Sequence, residues 1–357
     1  MKQNKITLPK RLPAEWERVG GVLLAWPHEN SDWAEILPEI DDCYIRICEA
    51  FTQHTTVIVV TKDHTRLLPL ILNSEIRTEN LIWHIAETND TWTRDFGPIV
   101  TTTGPDDWQI NDFKFNGWGL KFPADKDNLI TANLVTNGSL IGDYVNFLSF
   151  VLEGGSIESD GHGTIMTTSR CLLSANRNGG MTKEEIEEYL KTALGAQRIL
   201  WVNEGALEGD DTDSHIDTLA RFAPEDTIVY VGTEDTSDSH YKVLAAMKEE
   251  LQAFRTFDGS PYRLIELPLP DAIYDKDGNR LPATYVNFLI VNDVVFCPVY
   301  GQKIKDDLAV KQLTKAFPGR TIVTIDCNSL IFQHGSLHCA TMQLPYEVLP
   351  LCETPLI

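Results

Sequence analysis

Short apolar runs alternate along the chain with stretches of helical spacing, and the alternation predicts a mixed α/β protein. Gly21-Val22-Leu23-Leu24-Ala25-Trp26-Pro27 reads as a buried strand stopped by proline. A helix is expected from Pro38 to about Gln53, where Ile40, Cys43, Tyr44, Ile47 and Phe51 share one face. Strands follow at Thr56–Thr61 and Leu81–Ala86, with a short helical piece near Leu67–Leu72 between them.

From there one unit recurs: a polar cluster, two strands joined by a turn, a helix, and a further strand leading to the next cluster. One copy has a hairpin in Thr164–Ser174, a helix opened by the capping box Thr182-Lys183-Glu184-Glu185, and the strand Ile199–Val202. The next has strands Ile216–Phe222 and Thr227–Val231, a helix Tyr241–Phe254 and the strand Tyr262–Leu267. Another has strands Tyr285–Val291 and Val294–Pro298, a helix near Ile304–Phe317 and the strand Thr321–Ile325. A weaker copy begins with strands near Pro98–Thr102 and Trp108–Phe115.

The polar clusters keep a period. Asp95 to Glu153 is 58 residues, Glu153 to His215 is 62, and His215 to Cys339 is 124, or two such steps. A fifth cluster is therefore expected near position 277, within Asp271–Thr284. Equal units that place polar residues at one strand end suggest a closed ring. Ala340–Leu344 is expected to pair with Val22–Trp26 and close it. Length alone, 357 residues, favours about two domains. The ring instead places residues 1–357 in a single α/β domain. Doubly wound sheets are the alternative, but neither nucleotide-binding glycine motif occurs.

Composition narrows the function. A hydrophobic content of 43% supplies a sizeable core, and a net charge of -22 argues against nucleic acid while suiting a cationic small-molecule partner. The seven cysteines include no C-x-x-C pair, Met1–Gly20 is polar, and no apolar run is long enough to span a membrane. A reducing, cytoplasmic location without membrane association is expected. Cys43, Cys171 and Cys297 sit in apolar helix or strand patterns; Cys339, in His338-Cys339-Ala340-Thr341, has no such stripe to explain it.

Three upstream clusters carry the chemistry. Asn89–Pro98 gathers charged and amide groups around Trp92, Glu153-Gly154-Gly155 ends an apolar run, and Asp210–Asp217 puts His215 and Asp217 on one side of an extended segment. Asp95, Glu153, His215, Asp217 and Cys339 form a constellation whose carboxylates repel one another unless a cation lies between them. A planar guanidinium is such a cation. Cys339 is then the candidate nucleophile and His215 the candidate acid/base.

These residues resemble the agmatine deiminases, grouped with bacterial peptidylarginine-deiminase-like proteins in the guanidine-modifying superfamily. The resemblance rests on Trp92-Thr93-Arg94-Asp95-Phe96-Gly97-Pro98, Leu152-Glu153-Gly154-Gly155-Ser156-Ile157, Asp211–Asp217 and His338-Cys339. It implies a five-bladed α/β propeller (pentein) of pseudo-fivefold ββαβ units. It also implies a covalent amidino-cysteine intermediate on Cys339, with no metal and no organic cofactor. Asp95 and Asp217 would grip the guanidinium, Glu153 would hold His215 or a substrate nitrogen, and Trp92 and Asp213 are expected to contact substrate. Agmatine would yield N-carbamoylputrescine and ammonia, a step of putrescine biosynthesis; free or peptidyl arginine, giving citrulline, is the alternative.

The chain departs from that pattern at Ser214, where glycine is common, at Thr218, at Glu158, and at His334-Gly335-Ser336-Leu337 in place of a glycine run. Free arginine would need a cation for its α-carboxylate, for which Arg94 and Arg221 are candidates. Amidino transfer and guanidine binding without turnover are further alternatives, and a homo-oligomer is left open. Asp275-Lys276-Asp277-Gly278-Asn279 lacks the spacing of a calcium loop and reads as a hairpin turn. Trp118 reads equally as a pocket lining or a packed loop aromatic.

Overall fold

The β-branched and aliphatic runs become sixteen strands in five small sheets, in a computed structural model that describes residues 9–350. Four of the sheets share one plan. β4 (Ile99–Gly104), β5 (Asp107–Lys114) and β6 (Asp143–Val151) form the first, and β7 (Ile157–Ser159), β8 (Thr164–Thr168) and β9 (Arg198–Val202) the second. β10 (Ala220–Ala223), β11 (Thr227–Gly232) and β12 (Arg263–Pro268) form the third, and β13 (Leu289–Val291), β14 (Val294–Val299) and β15 (Thr321–Asp326) the fourth. In each, the first two strands pair antiparallel and the second and third pair parallel across a helical crossover.

The fifth sheet spans the two ends of the chain. β16 (Met342–Pro345) pairs antiparallel with β1 (Val19–Ala25), with Val22 opposite Gln343 and Leu23 opposite Met342. β1 then pairs parallel with β2 (Thr56–Thr61), and β2 with β3 (Leu81–Ile85). The expected closure is present, so the ββαβ unit is completed by strands from opposite termini. The result is a five-bladed α/β propeller.

Local chemistry accounts for the elements. Helix Leu37–Thr52 buries Ile40, Cys43, Tyr44, Ile47 and Phe51, the face its spacing predicts. Each such side chain contributes about 1.5–3 kcal/mol by leaving water. Helix Lys183–Leu194 begins at the predicted capping box: the Glu185 amide donates to Thr182 Oγ1 (3.3 Å), and Glu185 Oε2 accepts from the Thr182 amide (2.7 Å). Gly195, at φ +73°, ends it, where a side chain would also meet the Lys10 carbonyl.

Several expectations are corrected. The second blade's hairpin is β7–β8, not Thr164–Ser174, because Ser169–Leu172 turns helical after Thr168 Oγ1 caps the Cys171 amide. Cys171 therefore lies in a helical turn rather than a strand. Ile216–Thr218 is a 3-10 turn before β10, and only Leu289–Val291 of the apolar run from Tyr285 is strand. Residues 275–279 form an exposed turn bracketed by the Tyr274–Arg280 bridge, so no polar cluster of a site lies there.

Candidate active site

Each blade places one or two polar side chains of the site just ahead of its first strand. Asp95 precedes β4, Glu153 precedes β7, His215 and Asp217 precede β10, Asn287 precedes β13 and Cys339 precedes β16. The fifth position is thus Asn287, ten residues beyond the expected 277, and an amide rather than an ionisable group. Its Nδ2 donates to Cys339 Sγ (3.2 Å) and Asp217 Oδ2 (3.3 Å), and its Oδ1 accepts from the His338 and Cys339 amides (2.9 and 3.2 Å).

These residues converge on Gly155. A Cβ there would lie 2.7 Å from His215 Nδ1, 2.9 Å from Asp95 Oδ1 and 3.0 Å from Asp217 Oδ2, so only glycine fits among them. The Gly155 amide donates to Asp95 Oδ1 (3.0 Å), and Trp118 Nε1 donates to Asp95 Oδ2 (2.8 Å). Cys339 Sγ lies 3.6 Å from Asp217 Oδ2. His215 Nδ1 is 3.6 Å from Asp95 Oδ1 and its Nε2 is 4.0 Å from Glu153 Oε2; neither buried nitrogen has a hydrogen-bond partner. Asp217 Oδ1 is also buried and unpartnered.

The loop bearing His215 is not the expected extended segment. Asp213 and Ser214 both have φ +66°, the left-handed region that favours glycine, so Ser214 holds a conformation that glycine would adopt at less cost. Asp210 holds the turn by accepting from the amides of Thr212 (3.1 Å) and Ser214 (2.6 Å). Thr212 Oγ1 in turn accepts from the His215 amide (3.0 Å).

Charge in the site is out of balance. Burial, then the neighbouring Asp217 and Glu153 charges, raise the Asp95 carboxyl well above its usual range. Burial raises Glu153 too, partly opposed by Arg177. Burial also works against ionised Asp217, but the hydrogen bond and charge of His338 outweigh it and leave that carboxyl lowered. Burial pulls His215 down to about 3, and burial with the Asp217 and Asp95 charges pushes the Cys339 thiol up. The empty site therefore favours a neutral imidazole beside a thiol.

A cavity of about 130 Å³ leads to Cys339 and Asp95, lined also by Asp32, Asp90, Asp211, Trp92 and Trp118, with no lysine or arginine in its wall. Trp118 thus both lines the pocket and packs, edge to face, on Phe115. Trp92 lines the cavity. Asp213 does not: its carboxylate pairs with Arg177 Nη1 (2.6 Å) and Lys121 Nζ (2.9 Å), a correction to its expected substrate contact. A larger cavity, about 300 Å³, lies against the leader and is lined by Arg11, Glu15, Trp108 and Met342, away from Cys339.

Arg94 and Arg221 are committed elsewhere. Arg94 Nη1 pairs with Glu15 (3.0 Å), and Arg221 bonds Glu15 and Glu158, which accounts for a glutamate at position 158. Asn287, Arg177 and Glu15 were not singled out from sequence. Asn287 hides inside an apolar run. Arg177, whose Nε contacts both Glu153 oxygens (2.9 and 3.0 Å), sits in an unremarkable polar stretch. Ligand-type atoms of Glu153, Cys171 and His215, and of Glu15, Glu158 and His338, gather within 4.8 Å, but each of those carboxylates is already bound by an arginine.

Among solved structures, a Porphyromonas gingivalis protein described provisionally as an arginine deiminase is 45% identical, with a TM-score of 0.90 over 96% of this chain and all (100%) of that one. The agmatine deiminase of C. jejuni, with substrate bound, is 35% identical, with a TM-score of 0.86 over 96% of this chain and 97% of that one. A Vibrio parahaemolyticus relative provisionally named agmatine deiminase is 33% identical, covering 93% of this chain and 96% of its own. The fold and these likenesses define a pentein-type hydrolase of amidine C–N bonds. More particularly, the chain belongs to the family of Porphyromonas-type peptidyl-arginine deiminases, whose model matches residues 11–345. Among the described residues, no helix is long and apolar enough to cross a membrane.

Proposed function

We propose that this chain hydrolyses agmatine to N-carbamoylputrescine and ammonia, supplying putrescine biosynthesis. One observation carries the reading: the cavity above Cys339 is walled by Asp32, Asp90, Asp95 and Asp211 and by no lysine or arginine. A dication with a guanidinium at one end and an amine at the other matches that wall along its length. An α-carboxylate in the same place would meet like charge, which costs several kcal/mol.

The guanidinium lies between Asp95 and Asp217, and its arrival offsets the repulsion that holds the Cys339 thiol up. Cys339 Sγ bonds to the guanidinium carbon while His215 takes the thiol proton. His215 returns that proton to one nitrogen, the C–N bond breaks, and ammonia leaves behind a cationic amidino-thioether. His215 then takes a proton from water as the oxygen bonds to carbon. The C–S bond breaks, the ureido product forms, and the sulfur regains a proton. The proton left over protonates ammonia. Glu153, fixed by Arg177, faces His215 Nε2 and stabilises its protonated form. No metal or organic cofactor is needed for this balance. The six described cysteines are free thiols, which fits a reducing cytoplasmic setting.

A second reading, deimination of free or peptidyl arginine, draws on the description of the 45% identical P. gingivalis protein. It needs a cation at the mouth, where the basic lining residue is His334, its Nδ1 2.7 Å from the Gly209 carbonyl. Lys121, next to the lining residue Phe122, is held instead by Asp213 and the Asp211 carbonyl. The test supplies agmatine, arginine and a blocked arginyl peptide to the protein and to Cys339→Ser, and measures ammonia and ureido product. The expected kcat/KM for agmatine exceeds the others by about 100-fold or more, worth about 2.8 kcal/mol. Equal or better turnover of arginine overturns the assignment.

A further inference from the structure

We infer that Glu15 and His338 form a positioning pair behind the nucleophile, His338 being an imidazolium that donates one N–H to Glu15 and the other to Asp217. Both ring nitrogens face carboxylates: Nδ1 lies 2.8 Å from Asp217 Oδ2, and Nε2 lies 2.9 and 3.1 Å from the two Glu15 oxygens. Every other partner of Glu15 is a donor: Arg94 Nη1 (3.0 Å), Arg221 Nη2 and Gln343 Nε2 (2.9 Å). A carboxylate so surrounded accepts only, so Nε2 must carry a hydrogen. Asp217, which also accepts from Asn287, must be ionised to grip a guanidinium, so Nδ1 must carry one too.

Around the ring stand Arg94 and Arg221, and facing them the ionised carboxylates of Glu15 and Asp217; burial raises the third carboxyl, Glu158, to about 8. Burial and the two guanidiniums lower the His338 imidazole below its usual range, against the pull of Glu15 and the Asp217 hydrogen bond, so it is the pair of facing carboxylates that argues for the second proton. Glu15 is itself held well below the usual carboxylate range: burial opposes this, and Arg221, His338 and Arg94 overcome it. With both carboxylates ionised, two acceptors remain for two ring nitrogens, and only the doubly protonated ring satisfies both.

The consequence falls on Asp217. His338 and Asn287 claim Oδ2 and leave Oδ1 as the buried oxygen without a partner, fixed for an incoming cation. Glu15 lies on the leader ahead of β1, so a segment outside the five blades takes part in orienting the site. This role rests on Asp217 receiving the guanidinium.

The test needs no substrate. His338-Cys339 is the chain's only His-Cys dipeptide, so labelling histidine and cysteine together assigns the His338 ring nitrogens by NMR. Both are expected protonated in the full-length protein at pH 8. A deprotonated ring nitrogen overturns the inference whatever the substrate proves to be. In Glu15→Gln, one ring proton is expected to be lost and kcat/KM for the guanidine to fall about 10–100-fold, mostly through KM. A folded Glu15→Gln protein with unchanged KM and kcat overturns the positioning role.

Discussion

Two groups of buried charge meet at Cys339 and are compensated in opposite ways. On the leader side, Glu15, Glu158 and Asp217 face Arg94, Arg221 and His338, and each carboxylate has its donor. On the cavity side, Asp95 and its acidic neighbours line a space with no lysine or arginine. Of the cavity acids only Asp95 is buried, and burial with the neighbouring charges disfavours its ionised form, whereas the cations around Glu15 favour that of Glu15. The difference teaches what the cavity is for. On the proposed reading, its missing positive charge is the ligand's to supply.

The largest effect expected is on chemistry. Cys339→Ser should lower kcat by about 10⁴-fold or more while agmatine binding persists, because the acids remain. His215→Gln should lower it by about 10²–10⁴-fold, the span of general acid–base catalysis. Steady-state rates and calorimetric binding on the same preparations check both.

Stability separates the two charge groups next. Arg221→Met takes the guanidinium from Glu158 and one of two from Glu15, and should cost about 3–5 kcal/mol in denaturant unfolding. Asp95→Asn removes one of the crowded acids, so it should leave stability within about 1 kcal/mol of the parent while cutting kcat/KM by at least about 10²-fold. If both variants lose stability equally, the comparison fails.

Smaller effects follow from protons. Asp95 is raised in the empty site and must ionise when a guanidinium arrives. Binding to Cys339→Ser should therefore release protons, read by calorimetry in buffers of different ionisation enthalpy, and affinity should rise with pH. His215, lowered to about 3, stays neutral when folded, whereas the unfolded chain binds its proton below about 6.5. Its contribution to stability is present above that pH and lost as pH falls toward 3. The parent's stability should fall more steeply than that of His215→Gln there, by up to about 1.4 kcal/mol per pH unit.

The residues legible in the sequence were those whose chemistry stands out from their surroundings. Cys339 lacked an apolar stripe, the double glycine at 154–155 followed a carboxylate, and the capping box marked its helix. The ring itself was legible because its blades repeat and because Ala340–Leu344 is apolar enough to pair with β1. What stayed hidden depends on distant partners. Asn287 looks like one more position in a strand until Asp217 and Cys339 arrive from other blades. Glu15 looks like a solvated leader acid until Arg94, Arg221 and His338 enclose it. Asp213 shows the converse: its sequence company suggested substrate, but Arg177, folded in from 36 residues upstream, claims it. The fifth cluster was misplaced because the period was read only from ionisable groups, whereas that blade supplies an amide.

The most direct measurement is the mass of the peptide containing Cys339 after acid quenching during agmatine turnover. An adduct equal to substrate less ammonia, on Cys339 and absent from Cys339→Ser, is the predicted result. Turnover with Cys339 unmodified under conditions that trap other thioethers, or an adduct carried by Cys171 instead, would contradict the account.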